Sequence, residues 1–430
     1  MIIHVVQPGE TIQSVSDRYN IPVTRLIQDN GILDPDNLVV GQTIVIVYAE
    51  ITHEVEMSDT LESIANQYNV SVIQLLQNNL FLSEQESLYI GQTLIIEYET
   101  EKIRDIVIDG YVYPYIDEET LRKTLPYLTY ITTLNYRVTA NGDVIDVDDS
   151  RLLELAKSYG VAPMMLMSTL SEHGTSQSNT AYTIINNPEI QDRLIDRVVN
   201  ILKTKGYYGL NLYLQYITNE NITLVEEYIN KFSVRLRNEG LRFVLSITPR
   251  IFLDRTETSF ERIDYSKLSQ SVDAILFTSY EWGYSYSPPV SVSPVNIIRD
   301  ILDYLTSMIP PEKLILGVPI IGYDWQLPYI PGVSIANAIT SESAIHLAAE
   351  TGSTIKYDEN TSAPYFFYTD GDEFLHIVWF KDARSIESIV GLVPEYGLQG
   401  IIVWNLMYFF TQMWFVINNQ YDIIKIPDIT

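Results

Sequence analysis

From about residue 104 the chain alternates between short apolar segments and longer amphipathic segments. This alternation constrains the fold more than any other feature. The apolar runs are 106–109, 130–134, 161–166, 210–216, 243–247, 274–277, 314–319 and 400–404. Apolar runs separated by stretches of helical periodicity indicate an α/β protein with a parallel sheet. Eight strand–helix units suit a (β/α)8 TIM barrel.

Two local signals refine this fold. Asn187 is a favourable N-cap, Pro188 suits the first helical position and Gly206 suits a helix end, so we expect a helix from Pro188 to the residue before Gly206. The interval of about 336–380 interrupts the alternation after the seventh strand. Its length predicts an inserted α+β subdomain.

The first 100 residues contain one motif twice. Residues 4–12 are echoed by residues 53–61, and residues 41–44 return as residues 91–94. A repeat of this period indicates two copies of one small structural unit. Each copy has the pattern strand, helix, helix, strand, which predicts two βααβ modules.

Both copies resemble the LysM module, a family that binds glycans containing N-acetylglucosamine. The resemblance rests on the G-[DE]-T turn, the helical core, the asparagine that ends the second helix and the closing G-Q-T strand. It predicts modules at 1–48 and 50–99, with the barrel at 104–430. In the family the sugar lies between the loop after the first strand and the loop after the second helix. The positions that this implies are Gly9, Glu10, Thr11, Ile12, Ile32, Leu33 and Pro35, and in the second module Asp59, Thr60, Leu61, Leu80 and Phe81.

The segment 206–215 carries a second resemblance. Its sequence, GYYGLNLYLQ, resembles the D-G-x-D-x-D-x-E motif of glycoside hydrolase family 18, the chitinase family. Tyr208, Asn211 and Tyr213 stand at the aspartate positions, and Gln215 stands at the position of the proton-donating glutamate. Further matching motifs, at 110–114, 127–130, 280–284, 322–325 and 378–385, are similar to the branch of spore peptidoglycan N-acetylglucosaminidases with two LysM modules.

The resemblance implies a substrate-assisted reaction, in which the substrate's acetamido oxygen is the nucleophile and the protein supplies a general acid. Gln215 has no proton to give, so the motif predicts a barrel without catalytic activity. Positions 211, 213 and 215 share one face of a strand and are expected to point into the barrel. Whether Tyr208 and Tyr213 plug the cleft stays open. The other cleft-lining positions implied by the family are Tyr111, Tyr280, Glu281, Tyr323, Asp324 and Trp404.

Composition and net charge limit the kinds of partner and cofactor that the chain is expected to bind. A net charge of −28 disfavours nucleic acid and anionic membrane. The chain has no cysteine, and its five histidines lack metal-ligand spacing, so no metal or other cofactor is expected. No apolar run is long enough to span a bilayer, and the N-terminus lacks the basic region of a signal peptide.

Three functions stay open. The leading expectation is a non-catalytic protein of the bacterial spore coat, cortex–coat boundary or surface that binds peptidoglycan or a chitin-like glycan. The second is a structural coat protein that binds other coat or surface proteins, which 31 tyrosines against 13 phenylalanines favour. The third is an N-acetylglucosaminidase with residual activity on spore peptidoglycan, in which Glu281 or Asp324 serves as the acid.

Overall fold

The computed structural model describes residues 1–84, 87–169, 178–214, 217–249, 251–253, 258–279 and 285–427. Its N-terminal part contains β1 (Ile2–Val5), α1 (Ile12–Tyr19), α2 (Val23–Asn30), β2 (Thr43–Ile46), β3 (Ala49–Glu54), α3 (Leu61–Tyr68), α4 (Val72–Asn78) and β4 (Thr93–Tyr98). β1 pairs antiparallel with β2, and β3 pairs antiparallel with β4. The two predicted βααβ modules are therefore confirmed.

A buried asparagine closes each module. The Asn30 amide donates to the carbonyl of Val45 and accepts from the Val45 amide, which joins the end of α2 to β2. Asn79 makes the same two bonds with Ile95. Each side chain satisfies backbone groups that water cannot reach, which explains why both copies have asparagine here.

The middle of the chain contains the following elements in order: β5 (Arg104–Val112), α5 (Glu118–Thr124), β6 (Tyr130–Val138), β7 (Val144–Ile145), α6 (Ser150–Ser158), β8 (Ala162–Ser168), α7 (Ser178–Ile185), α8 (Pro188–Lys205), β9 (Gly209–Tyr213), α9 (Ile222–Asn238), β10 (Arg242–Ile247), β11 (Ile251–Leu253), β12 (Thr258–Phe260), α10 (Ser266–Ser271), β13 (Ala274–Phe277), α11 (Val295–Thr306) and β14 (Leu314–Pro319). The predicted helix before Gly206 is α8. Asn187 caps it through the Ile190 amide, and Gly206 ends it with a φ of 69°.

The last part contains β15 (Ile321–Gln326), β16 (Asn337–Thr340), α12 (Ser341–Glu350), β17 (Lys356–Asp358), β18 (Ala363–Thr369), β19 (Leu375–Trp379), α13 (Ala383–Val390), α14 (Leu392–Tyr396), β20 (Gly400–Trp404), α15 (Thr411–Gln420) and β21 (Tyr421–Ile423). β15–β19 form one antiparallel sheet in the order β16-β15-β19-β18-β17, with α12 against it. This is the predicted α+β insertion, and its first strand begins at Ile321.

Eight strands close into the predicted TIM barrel. In order around the barrel they are β5, β6, β8, β9, β10, β13, β14 and β20, and β20 pairs again with β5; every one of these pairings is parallel. All eight carboxyl ends therefore meet at one mouth, where the active sites of such barrels lie. β21 pairs in parallel with the amino-terminal end of β5, away from the mouth.

The modules are packed against the barrel through α15. Gln412, at the start of that helix, is 4% exposed. Its amide donates to the Thr43 carbonyl at 2.7 Å and to Asn30 Oδ1 at 3.2 Å, and its carbonyl oxygen accepts from Thr43 Oγ1 at 2.9 Å. In the last turn of the helix, Asn418 donates to Asn78 of the second module. One helix thus holds both modules.

Among the described residues, no helix combines the length and apolarity needed to cross a membrane. In the same part of the chain, no cluster of three or more histidine, aspartate or glutamate side chains is arranged to hold a metal ion.

We expect Gln412→Ala to loosen the first module from the barrel. The substitution removes the Gln412 donor from the buried Thr43 carbonyl and one of two donors from Asn30 Oδ1, and an unsatisfied buried group costs about 1–3 kcal/mol. Hydrogen exchange at β2 should become faster, and the free energy of unfolding should fall by about 2–3 kcal/mol. Gln420→Ala is the matched control, since Gln420 ends the same helix and its side chain bonds to the Glu387 carboxylate at the surface. Equal behaviour of the two variants would contradict this account of the packing.

Candidate functional site

A ring of three hydrogen bonds crosses the inside of the barrel below its mouth. Asn211 Nδ2 donates to Tyr111 Oη at 3.3 Å, Tyr111 lies 3.1 Å from Ser246 Oγ, and Ser246 donates to Asn211 Oδ1 at 2.6 Å. All three side chains are buried. The prediction that Asn211 points into the barrel is confirmed, and Tyr111 lies beneath the mouth instead of facing it.

Tyr213 lies one layer above this ring, at the end of β9. Its side chain packs on the apolar interior of the barrel, as predicted, and remains partly exposed. Its hydroxyl is 3.1 Å from Thr248 Oγ1, which is 2.7 Å from Thr278 Oγ1, and Thr278 donates to the Ile247 carbonyl. These contacts fix the position of the Tyr213 hydroxyl, and in its bond with Thr248 either oxygen can be the donor.

Trp404 ends β20 at the same mouth. Its ring meets the Tyr111 ring edge-on, with centroids 5.4 Å apart, and it is partly exposed. Tyr113 and Tyr115 extend this surface as a stacked pair 5.3 Å apart, and Tyr115 is 74% exposed. Flat aromatic faces of this kind suit the apolar face of a pyranose ring.

The insertion supplies an aromatic wall beside this mouth. Tyr323 lies on β15 close to Tyr408, which follows β20; burial and the nearby Tyr323 raise the pKa of Tyr408 to about 12. On the same face of the sheet, Tyr365 stacks on Trp379 at 4.6 Å. The predicted site residue Tyr323 therefore lies with three further aromatic side chains.

Asp324 does not lie with Tyr323. Successive residues of a strand face opposite sides, and Asp324 faces the α12 side of the sheet, where it is 8% exposed. Its carboxylate accepts from Tyr368 Oη at 2.7 Å and lies 2.9 Å from His376 Nδ1. The prediction that Asp324 lines the cleft is wrong, because the strand turns it into the core of the insertion.

Tyr208 does not plug the cleft. It precedes β9 and therefore lies at the amino ends of the barrel strands, opposite the mouth. Its ring is 5.8 Å from that of Tyr130, the first residue of β6, and it is 38% exposed. Of the two tyrosines considered as plugs, only Tyr213 is at the mouth. Three further predicted positions, Gln215, Tyr280 and Glu281, lie outside the described residues.

In the first module, most residues of the predicted sugar loop have structural contacts. Thr11 caps α1 through the amide of Ser14. Glu10 bonds His4 at 2.9 Å and Arg18 at 2.6 Å, and the Gln7 amide is the main cause that lowers its pKa. The apolar and glycine positions differ in exposure: Gly9 is exposed, Ile12 and Ile32 are buried in the module core, Pro35 is partly buried and Leu33 is 73% exposed.

The second module repeats this arrangement. Asp59 bonds His53 Nε2 at 2.8 Å, and Thr60 caps α3. The three predicted apolar positions are all partly buried: Leu61, Leu80 and Phe81. Leu80 packs on the main core of the barrel domain, whereas Leu61 and Phe81 pack within their own module. In this module the loop after the second helix is therefore partly covered.

Several residues of the mouth were missed by sequence reasoning. They are Tyr113, Ser246, Thr248, Thr278 and Tyr408. Hydroxyl side chains at the carboxyl ends of the apolar runs 243–247 and 274–277 were the available signal, since that edge of a barrel carries its function. Together the described mouth offers stacking surfaces and hydroxyl groups, which are suited to holding and orienting a sugar.

Asp109 is the carboxylate beneath this mouth. It is 4% exposed on β5, and both of its oxygens lie within 2.9 Å of Thr132 Oγ1, while one also accepts from the Gly110 amide. Burial raises the pKa of Asp109 from its ordinary value of 3.8 to about 6. It lies one layer below Tyr111, which separates it from the mouth.

Both the two N-terminal modules and the barrel match known protein families. The family described as "Glycosyl hydrolases family 18" matches residues 113–408, and the "LysM domain" family matches residues 4–47 and 53–97. The cortical fragment-lytic enzyme of Bacillus subtilis (strain 168) is 32% identical over 431 residues, which cover 99% of each chain. The corresponding protein of Bacillus anthracis is 29% identical over 98% of this chain and 99% of its own length. The crystal structure of the Bacillus megaterium QM B1551 spore cortex-lytic enzyme SleL matches with a TM-score of 0.81 at 28% identity, covering 98% of each chain.

These relatives overturn the leading expectation from the sequence. The prediction of a protein without catalytic activity is wrong, because proteins that match essentially end to end are named as lytic enzymes. The prediction rested on four positions of one strand, whereas the comparison covers the whole chain. The hydrolase alternative is therefore the better supported one.

The charge of Asp109 gives a testable pH dependence. A folded-state pKa above the unfolded value means that the native protein binds more protons between pH 4 and pH 6, so stability from this group falls as the pH rises through that window. Asp109→Asn removes this slope. We expect the variant to gain about 2–3 kcal/mol relative to the parent between pH 4 and pH 6.5. Urea denaturation at several pH values measures it; parallel curves for the two proteins would refute the assignment.

Proposed function

Since the chain belongs to glycosyl hydrolases family 18, we propose that it is a glycosidase that cleaves N-acetylglucosamine-containing glycan of the spore cortex. The two LysM modules hold the glycan, and the barrel mouth cleaves it. The protein then acts in association with the spore, with peptidoglycan or its fragments as the substrate class.

The observation that carries this proposal is the full-length match to lytic enzymes. Both modules and the barrel are covered by the 32% identical relative, so the shared feature is the whole arrangement and not the barrel alone. Barrels of one fold serve many reactions, and the agreement in domain order is what favours cortex glycan over other sugars.

The described mouth is chemically suited to a substrate-assisted reaction. There the acetamido oxygen of the substrate attacks the anomeric carbon, and the leaving oxygen takes a proton from the protein. The hydrogen bond to Thr248 holds the Tyr213 hydroxyl at the mouth, and we propose that the Tyr213 oxygen accepts the acetamido N–H and orients that group. Trp404 is the proposed stacking surface for the sugar ring at the cleavage point.

Glu281 is the proposed proton donor. Gln215, at the usual position of the acid, carries no acidic proton, and Asp324 is engaged with Tyr368 and His376 on the other face of its sheet. Glu281 follows Thr278, which belongs to the hydrogen-bonded chain of Tyr213, by three residues in the sequence. Of the two carboxyl groups that the family resemblance places in the cleft, Glu281 and Asp324, we therefore choose Glu281.

The experiment is hydrolysis of purified spore cortex peptidoglycan. We expect new N-acetylglucosamine reducing ends, identified by mass spectrometry, at a rate proportional to protein concentration. Glu281→Gln should lower this rate by about 10²–10⁴-fold, the usual loss on removing a general acid. Glu189→Gln, on the exposed first turn of α8, is the control and should keep full activity. If the protein releases no more reducing ends than heat-treated protein does, the proposed function is wrong. If Glu281→Gln keeps full activity, only the choice of Glu281 as the acid is wrong.

A second experiment tests the role of Trp404. Trp404→Ala removes the proposed stacking surface and should lower kcat/KM on cortex glycan at least about tenfold, equivalent to about 1.4 kcal/mol of transition-state stabilisation. Trp404→Phe keeps an aromatic face and should restore most of this loss. If both variants lose activity equally and melt at a much lower temperature, Trp404 is a packing residue and the stacking role is wrong.

A further inference from the structure

β6 has one residue more than its neighbour β8 where both strands reach the mouth. It pairs with β8 at Thr133 and again at Tyr136, while the partners of these two residues in β8 are only two positions apart. Leu134 packs on the interior of the barrel, whereas Tyr136 packs on the core that the strands share with the surrounding helices. An extra residue of this kind often re-aims a side chain beside an active site. Asn135 lies at this point of the strand.

Asn135 is held by Ser168, the last residue of β8. Ser168 continues the inward-facing row of Met164 and Leu166 and is completely buried. Its hydroxyl donates to Asn135 Oδ1 at 2.7 Å, whereas Asn135 itself is partly exposed. Since the amide oxygen of Asn135 faces Ser168, the NH2 group with its two N–H donors points away from Ser168. Asn135 therefore offers a hydrogen-bond donor whose position is fixed by a buried residue.

Asn135 lies across the barrel from the strand that leads to the proposed acid. Counted around the barrel from β5, β6 is the second strand, β9 the fourth and β13 the sixth of eight. β6 and β13 are therefore opposite each other, and β9 lies midway between them. Glu281 follows β13 in the sequence, and Tyr213 ends β9, where it pairs with Ser168. Asn135, Tyr213 and the end of β13 thus border the mouth in that order.

The order of these groups around the mouth matches the order of the substituents around the sugar ring. In a β-linked N-acetylglucosamine residue the leaving oxygen is on C1, the acetamido group is on C2 and a hydroxyl group is on C3. The proposed acid Glu281 acts at C1, and Tyr213 is the group proposed to orient the acetamido group on C2. The next substituent around the ring is the C3 hydroxyl. In the same direction around the described mouth, beyond the Ser168 hydroxyl that donates to it, lies the Asn135 amide.

We propose that the Asn135 amide donates a hydrogen bond to the C3 hydroxyl oxygen of the sugar whose glycosidic bond is cleaved. The proposal rests on the proposed glycosidase function, since it concerns how the same sugar is recognised. The C3 oxygen distinguishes the two sugars of peptidoglycan: it is a free hydroxyl in N-acetylglucosamine and carries a lactyl ether in N-acetylmuramic acid. A hydrogen bond from Asn135, which is held by the buried Ser168, leaves little room for the lactyl group. Asn135 then selects N-acetylglucosamine at the cleavage point.

Tryptophan fluorescence allows a direct test, because all five tryptophans of the chain lie in the barrel domain and none lies in the LysM modules. The ligands are the methyl β-glycoside of N-acetylglucosamine and its 3-deoxy and 6-deoxy analogues, each titrated into the full chain. They have no leaving sugar, so contacts to neighbouring sugars do not contribute. Asn135→Leu keeps a similar side-chain volume and removes the donor. Asn200→Leu, at an exposed position of α8, is the matched control.

We expect the parent protein to bind the 3-deoxy ligand about fivefold more weakly than the complete ligand, as for the loss of one hydrogen bond, and to bind the 6-deoxy ligand normally. Asn135→Leu should weaken binding of the complete ligand by the same factor and should no longer distinguish it from the 3-deoxy ligand, because both changes remove one shared contact. Asn200→Leu should behave as the parent does. The proposal is overturned if the parent binds the complete and 3-deoxy ligands equally, if Asn135→Leu still prefers the complete ligand fivefold, or if no ligand gives a saturable signal.

Cortex hydrolysis by the same proteins separates this proposal from the proposed function. Hydrolysis by a parent protein that does not distinguish the 3-deoxy ligand overturns the role of Asn135 and leaves the enzyme function standing. Coupling between Asn135 and the C3 hydroxyl without hydrolysis supports the contact and counts against the enzyme function. Circular dichroism identifies any loss of folding. If Asn135→Leu misfolds, Asn135→Ala takes its place, and the comparison of ligands on the parent protein still decides.

Discussion

The barrel mouth depends on the hydrogen-bonded ring of Tyr111, Asn211 and Ser246 directly beneath it. Each member donates one bond and accepts another, so three buried polar groups are satisfied inside an otherwise apolar barrel. The ring positions the layer above: Trp404 rests edge-on against Tyr111, and Tyr213 continues the strand that carries Asn211. Loss of one member would remove two of the three hydrogen bonds and leave the remaining two side chains with only one bond of the ring, which makes this small network important for the geometry of the site.

The sequence predicted those features that local chemistry dictates. The alternation of strands and helices, the capped helix before Gly206 and the twofold module repeat all follow from neighbours along the chain, and the structure has all three. The positions of Tyr208 and Asp324 could not be predicted from neighbouring residues. Tyr208 lies just outside the strand, so its place depends on where β9 begins, and the face of Asp324 depends on the register of β15 with β19. Neither boundary nor register is encoded in a short motif.

The modules illustrate a second limit of sequence reasoning. Thr11 and Thr60 cap helices, and Glu10 and Asp59 bond buried histidines. The motif residues by which the repeat is recognised therefore also stabilise the fold of each module. The difference between the two modules comes from the barrel, which approaches Gly31 through Thr411 and covers Leu80. Contacts between residues almost 400 positions apart carry no local signal, and only the folded chain reveals them.

A substrate-assisted reaction makes few demands on the protein. When the substrate provides the nucleophile, the protein must supply one proton and a group that orients the acetamido nitrogen. The orienting group needs an acceptor oxygen, and the group proposed for this task is the phenolic oxygen of Tyr213, which is hydrogen-bonded to Thr248. The proton has only to come from a carboxyl group within reach of the leaving oxygen. In the proposed mechanism, other residues of the mouth perform the tasks of the substituted strand, and the barrel that this chain shares with its lytic relatives positions them.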